Sequence, residues 1–120
     1  MTEIYKIPQG KMIISYSDKN ISIGLLELNA NELLPKHNRL VKEELTQIYG
    51  SSIIEIFDED NSSQKIILKA GDNLEIQEGK FHIHSNNSED VSITLWKFEG
   101  DIANIIEDIR KGSETIVKDK

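Results

Sequence analysis

The sequence contains no cysteine among its 120 residues. This absence excludes disulfide bridges, thiolate nucleophiles and cysteine-ligated zinc or iron–sulfur sites, so that only histidine and carboxylate side chains are left to bind a metal ion. There are only two prolines, and no stretch approaches the roughly 20 apolar residues that span a bilayer. Residues 1–6 lack the basic start and apolar run of a signal peptide. We therefore expect a soluble cytoplasmic protein with no membrane partner.

Basic residues are in deficit, with 14 Lys and Arg against 21 Asp and Glu, which gives a formal net charge of -7. Nucleic-acid binding depends largely on Lys and Arg that neutralise phosphates, so this charge argues against a nucleic-acid partner. The length suits one domain, which we assign to residues 1–120.

Short runs of β-branched and aromatic residues, separated by turn residues, occupy about residues 11–98. This pattern is typical of an antiparallel sandwich or barrel and predicts an all-β fold. The predicted strands cover residues 12–16, 21–28, 43–49, 52–57, 64–69, 74–77, 81–86 and 91–98. An aromatic residue on a strand usually belongs to the core, and we expect this of Tyr49 and Trp96.

The hydrophobic period changes once, after Gly100. Four isoleucines then recur at the i, i+3, i+4 and i+7 spacing of an amphipathic helix: Ile102, Ile105, Ile106 and Ile109. Asp101 is a suitable helix cap and Gly112 a suitable stop, which predicts one C-terminal helix over about 101–111, docked on the barrel. The tail, residues 113–120, is mostly polar, and we expect it to be loose.

The chain has three histidines, and two of them lie two residues apart on a predicted strand. His82 and His84 therefore share one face of that strand, and Asn86 continues the same face. The alternation leaves open whether this face looks into a barrel or out to solvent.

Two groups of residues have a spacing that points to a family. Gly71, Gly79, His82 and Asn86 stand in the register of the second conserved motif of the cupin superfamily, with Gln77 where that motif has proline. The first motif is also present in part, because His37, Glu43 and Gly50 stand in its register. Its first glycine is replaced by Asn31 and its second histidine by Arg39. With seven of ten motif positions matched, the chain resembles a small single-domain cupin.

This resemblance implies an all-β, cupin-like jelly-roll barrel followed by the C-terminal helix. It also implies His37, Glu43 and His82 as ligands of a divalent metal ion, and His84 is available to supply a further nitrogen. Two histidines and a carboxylate suit Fe, Mn, Ni or Zn. No organic cofactor is indicated.

Arg39 opens an alternative, because a guanidinium cannot bind a cation. It can anchor a carboxylate or phosphate instead, with Gln47 and Asn86 as further ligand-binding candidates. The sequence thus predicts a small cupin that binds a divalent metal and a small polar or acidic metabolite. The alternative is a metal-free protein of isomerase or epimerase type, or a non-catalytic ligand-binding cupin, with Arg39 as the anion anchor. Whether the protein is an enzyme stays open.

The resemblance further implies a homodimer, because small cupins commonly pair through their sheets. An edge strand has to be covered in any case. The candidate surfaces are the strand at residues 12–16 and the apolar side of the final helix.

Overall fold

The computed structural model describes residues 2–112 and 114–118. Ten strands and one helix follow one another in this part of the chain. They are β1 (Glu3–Ile7), β2 (Gly10–Ser17), β3 (Ile21–Leu28), β4 (Lys42–Tyr49), β5 (Ser51–Phe57), β6 (Ser63–Lys69), β7 (Asn73–Ile76), β8 (His82–Ser85), β9 (Ser92–Glu99), α1 (Ala103–Lys111) and β10 (Glu114–Lys118).

The strands form two antiparallel sheets that make a jelly-roll sandwich. The larger sheet has the order β10-β1-β2-β3-β9-β4-β7, and the smaller one has the order β6-β5-β8. Non-consecutive neighbours such as β3 and β9 show that the chain crosses repeatedly between the sheets. The all-β prediction and the single C-terminal helix are therefore confirmed.

Alternation of buried and exposed residues along the strands builds the core. On β3, β4 and β9 every second side chain points inward, as the period of two in a strand requires. Leu26, Leu45, Trp96 and Phe98 are buried from the larger sheet, and Ile54 is buried from the smaller one. The inward positions also carry polar groups, and these are concentrated near β8.

Both ends of the chain carry a strand that the sequence analysis did not predict. β1 pairs with β2 on one side and with β10 on the other. The predicted loose tail is therefore wrong for residues 114–118, while Ser113, Asp119 and Lys120 lie outside the described residues. Each of these strands has only five residues, too few to show a periodic pattern, and β10 forms because β1 offers it an unpaired edge.

The two surfaces that the sequence analysis offered for dimerisation are occupied within the chain itself, and the dimer stays a prediction. Residues 12–16 belong to β2, which lies inside the sheet between β1 and β3. The apolar face of α1 is also covered, because Ile102, Ile106 and Ile109 are buried in the core of the same chain.

Helix α1 begins later than predicted. Its N-cap is Ile102, which makes no side-chain cap hydrogen bond, and Asp101 is exposed instead of capping. Burial of the Ile102 side chain decides where the helix starts. At its other end Arg110 makes two hydrogen bonds to the buried carboxylate of Glu3, each 2.9 Å long, and ties the helix to β1. Within the described residues, no helix is long and apolar enough to cross a membrane.

Candidate metal centre

The short strand β8 directs His82 and His84 into the sandwich. Their exposed fractions are 1% and 3%, while Ile83 between them is only partly buried. β8 can face inward because it is paired on both sides. β5 pairs with it along one edge, and isolated bridges from Leu33 and His37 pair with it along the other. The question that the alternation left open is answered in favour of the interior.

His37 reaches the same place from the loop before β4. Its backbone exchanges two hydrogen bonds with that of His82, of 3.1 and 2.8 Å, so the two residues stand directly opposite each other. The His37 ring centroid lies 4.4 Å from that of His82 and 5.6 Å from that of His84. One ligand atom from each of the three rings lies within 4.8 Å of the others.

Glu43 approaches the histidines from the larger sheet. It occupies an inward position of β4, and its carboxylate is almost completely buried. Oε2 lies 3.1 Å from His82 Nε2, and Oε1 lies 3.9 Å from His84 Nε2. The structure thus brings together all four residues that the sequence analysis assigned to metal binding.

Backbone carbonyls orient two of the imidazole rings. His37 Nδ1 lies 2.8 Å from the Pro35 carbonyl, and His82 Nδ1 lies 2.9 Å from the Lys80 carbonyl. A carbonyl can only accept, so each Nδ1 carries the proton and donates it. In the uncharged form of such a ring Nε2 keeps its lone pair, which is how histidine ligands are usually prepared for a metal ion.

Two buried atoms of the cluster have no hydrogen-bond partner. They are Glu43 Oε2 and His82 Nε2, which face each other at a distance of 3.1 Å. Burial of unpaired polar atoms is costly and calls for an explanation. Ligand atoms that share one ion at bond lengths of about 2.0–2.2 Å lie roughly 3 Å apart, which agrees with this pair. The residues present therefore fit a divalent cation.

The protonation states also suit metal binding. Burial lowers the pKa of His37, and it lowers the pKa of His84 to about 3. Burial alone would raise the pKa of Glu43, but contact with His82 and the nearby His84 outweigh it, so that this pKa is lowered. At neutral pH His37 and His84 are uncharged and Glu43 is a carboxylate, as a metal requires.

Arg39 stands at the edge of this cluster. Its Nε is buried without a hydrogen-bond partner. Burial lowers the pKa of Arg39, whereas the negative charges of Glu43 and Asp108 raise it. An arginine keeps its charge in proteins, so Arg39 supplies a cation and an unpaired donor next to the histidines.

The turn positions of the two motifs explain their spacing. Asn31 has φ 61° and Gly79 has φ 80°, both in the left-handed region that most side chains avoid. Asparagine is one of the few residues that tolerate this region, which accounts for its presence where the cupin motif has glycine. These turns deliver His37 and His82 to opposite positions of one bridge.

Gln47 is not available to a ligand, contrary to the sequence analysis. Its Nε2 donates to the Tyr49 carbonyl and to Ser92 Oγ, and its Oε1 accepts from Ser52 and Thr94. An amide can make only four such bonds, so the protein itself uses them all. Gln47 joins β4 to β5 and β9.

Asn86 has a similar structural role instead of the ligand-binding role expected of it. Its Nδ2 donates to the carbonyls of Leu28, Asn29 and Asp90, and its Oδ1 accepts from Ser88. β8 has ended at Ser85, and Asn86 fastens the loop that follows it.

Two cavities adjoin the cluster. The inner cavity, of about 30 Å³, is lined by His37, Glu43 and His84, and the outer cavity, of about 350 Å³, opens beneath α1. Trp96 is buried, as expected, but also lines the inner cavity, and its Nε1 has no hydrogen-bond partner. Tyr49, by contrast, is half exposed and donates to Asp90.

Helix α1 forms one wall of these cavities, which was not predicted from the sequence. Asp108 and Ile109 of α1 line the outer one, and Ile109 also lines the inner one. The helical period identified Ile109 as apolar, but no sequence signal showed that it packs beside the histidines.

The chain matches no protein-family profile and no curated protein sequence. Solved structures do match. An oxalate decarboxylase from Bacillus subtilis, with Mn(II) centres, aligns with 96% of this chain at a TM-score of 0.77 and 18% identity. The chain has the cupin jelly-roll fold.

Other solved cupins agree with this assignment. The formate complex of Lactobacillus farciminis oxalate decarboxylase aligns with 82% of the chain, at a TM-score of 0.74 and 20% identity. An oxalate oxidase aligns with 68% of it, at a TM-score of 0.63 and 15% identity. The chain spans only 30%, 31% and 43% of the length of these three proteins. Its His37, His82 and His84 cluster is of the kind typical of cupin metal sites.

Proposed function

We propose that this cupin binds one divalent transition metal ion through His37, His82, His84 and Glu43, and that a small carboxylate binds beside it. The observation that carries the proposal is that Glu43 Oε2 and His82 Nε2, two buried atoms 3.1 Å apart, are without a hydrogen-bond partner. Imidazole and carboxylate ligands suit Mn, Fe, Ni and Zn. The Mn(II) centres of the Bacillus subtilis protein make Mn(II) the first metal to test.

His84 supports this proposal, because it can supply the imidazole that the first motif lacks. Arg39 stands where that motif has its second histidine and cannot ligate a cation. The His84 ring centroid lies 5.0 Å from that of His82, and its Nε2 faces Glu43. The third imidazole is thus supplied by β8 instead of the loop before β4.

Arg39 supports the carboxylate part of the proposal. The buried Nε of Arg39 is a donor that lacks an acceptor, and a carboxylate supplies one in a strong, charge-assisted bond. A bound divalent ion would polarise an oxygen of the same ligand as a Lewis acid. The solved structures with a similar fold belong to enzymes of small acids. The decarboxylases and the oxidase are named for oxalate, and one decarboxylase is a complex with formate. A small mono- or dicarboxylic acid is therefore the ligand class we propose.

Calorimetric titration of the apoprotein with Mn(II) tests the proposal. We expect one site per chain, and we expect His82→Ala to lose it. Glu43→Gln should weaken Mn(II) binding at least tenfold, because it removes an anionic ligand. Glu3→Gln is the matched control, since Glu3 is also a fully buried glutamate but lies on β1, outside the cluster. Equal Mn(II) affinity in wild type and Glu43→Gln would contradict the proposal.

A second candidate function is favoured by the same unpaired Arg39 Nε. Without a metal, Arg39 would hold an anion while an uncharged His37 acts as a base, as in an isomerase or epimerase. Titration with formate or phosphate in the presence of EDTA distinguishes the two. Binding that is unaffected by EDTA and lost in Arg39→Ala would favour the metal-free protein.

A further inference from the structure

The inner and outer cavities are neighbours that share part of their walls. Met12, Leu34, His37, Arg39 and Ile109 line both of them. His37 and Arg39 belong to the proposed site itself, so the apolar residues decide what can pass between the cavities.

Ile109 occupies a special place among these apolar residues. It is buried, and within the described part of the chain it is the one residue of α1 that lines the inner cavity. The adjacent Asp108 lines the outer cavity, and its negative charge interacts with Arg39. Ile109 thus shares the wall of the inner cavity with His37 and His84.

The helix is fastened where Ile109 projects from it. The neighbouring Arg110 holds Glu3 of β1 through two hydrogen bonds and Glu107 through a third. One turn before Ile109, Ile106 is buried in the core without lining either cavity. The position of Ile109 over the cluster is therefore well determined.

The two cavities that Ile109 lines differ in size. The inner cavity, of about 30 Å³, has room for roughly two water-sized ligands, since one needs on the order of 10–15 Å³. The outer cavity, of about 350 Å³, could hold a small metabolite. A ligand that reaches the histidines must fit the smaller space.

We propose that Ile109 is a specificity-determining residue that limits the carboxylic acids at the cluster to those without an alkyl chain. This inference rests on the proposed metal and carboxylate function. Any longer carbon chain on the acid meets the Ile109 side chain, and one methylene that does not fit an apolar pocket changes affinity by roughly ten- to 200-fold.

The test loads the full-length protein with Co(II), whose visible spectrum reports ligand binding, and compares formate with butyrate. We expect wild type to bind formate at least tenfold more tightly than butyrate. In Ile109→Ala this ratio should fall at least fivefold. Ile109→Val disturbs packing less, and its ratio should lie between those of wild type and Ile109→Ala.

Ile106→Ala is the matched control, because it removes the same atoms from the same helix away from both cavities. Its ratio should equal that of wild type. An unchanged ratio in both Ile109→Val and Ile109→Ala, or an equal fall in Ile106→Ala, would overturn the inference while leaving the metal site intact. Failure of the wild type to take up Co(II) would overturn the proposed function, and the inference with it.

Discussion

Arg39 and His84 together define what is unusual about this centre. A positive guanidinium replaces an imidazole of the family motif, and an imidazole from the second motif's strand lies within the same cluster. Because Arg39 has a buried donor without a partner, we expect it to hold an anion beside the proposed metal ion. The charges of Glu43 and Asp108 offset part of the cost of burying it.

Replacement of Arg39 should separate metal binding from anion binding. We expect Arg39→Met to retain Mn(II) but to bind formate at least tenfold more weakly, because a hydrogen bond to a charged group contributes about 1.5–3 kcal/mol. Arg39→Lys keeps the charge without the planar fork and should lose less. Calorimetric titration of the Mn(II)-loaded variants with formate measures this. Formate affinity equal to wild type in Arg39→Met would show that Arg39 does not hold the anion.

The buried histidines should make the stability of the metal-free protein depend on pH. His84 has a folded pKa of about 3 against 6.5 when unfolded, so below about pH 6.5 the unfolded chain takes up a proton that the folded one does not. The free energy of unfolding should therefore fall as the pH falls, by up to about 1.4 kcal/mol per pH unit for each such histidine. His37, whose pKa is also lowered, acts in the same direction.

Urea unfolding in EDTA at pH 7, 6 and 5 measures this dependence. His84→Leu should have a clearly shallower slope over the same range, because it lacks one of the groups that titrate on unfolding. Identical slopes in wild type and His84→Leu would contradict the assignment of a neutral, buried His84.

At the scale of the elements, the alternation along β8 was enough to place His82 and His84 on one face. The alternation does not show which way that face points. The answer depends on how residues 33–37 pair along the edge of β8 opposite β5. The same limit explains Gln47 and Asn86, which are buried and fully used by internal hydrogen bonds. Such partners come from distant segments and leave no local pattern.

The attachment of α1 to β1 is a second feature that only the tertiary structure reveals. We expect Arg110→Met to lower the free energy of unfolding by about 3 kcal/mol, because it takes the charged partner from the buried Glu3 carboxylate. Glu3→Gln combined with Arg110→Met should recover part of this loss. Urea unfolding measures both effects. Lys111→Met is the control, because Lys111 is exposed on the same turn and its loss should change stability by less than about 0.5 kcal/mol. A loss no larger in Arg110→Met than in Lys111→Met would refute this attachment.

At the scale of the whole molecule, the strands from residue 12 to residue 98 could be predicted to within one or two residues from turn residues and β-branched runs. The jelly-roll topology followed from the resemblance of seven motif positions and not from the strand pattern, which does not encode strand order. β1 and β10 escaped prediction because each has only five residues and pairs with segments that leave no local pattern. The covering role of α1 also depends on tertiary packing alone.

A homodimer remains our prediction, with its interface moved to other surfaces. Among the described residues, β6 pairs only with β5, which leaves one edge of β6 without a strand partner, and Ile67 on it is 62% exposed. An unpaired edge with an exposed apolar side chain is a natural surface for pairing with a second copy. Sedimentation velocity should give twice the 13.7 kDa chain mass, and Ile67→Lys should shift it toward the monomer. A strict monomer at high concentration would contradict this prediction.

Elemental analysis of untagged protein, purified alongside His37→Ala and His82→Ala, decides whether the histidine cluster holds a metal ion. We expect close to one equivalent of Mn, Fe, Ni or Zn per wild-type chain, and a loss of that metal in both variants while the barrel stays folded. A wild-type protein that holds no metal, even after reconstitution at neutral pH where imidazoles are free to bind, would contradict it. So would variants that keep the full metal content.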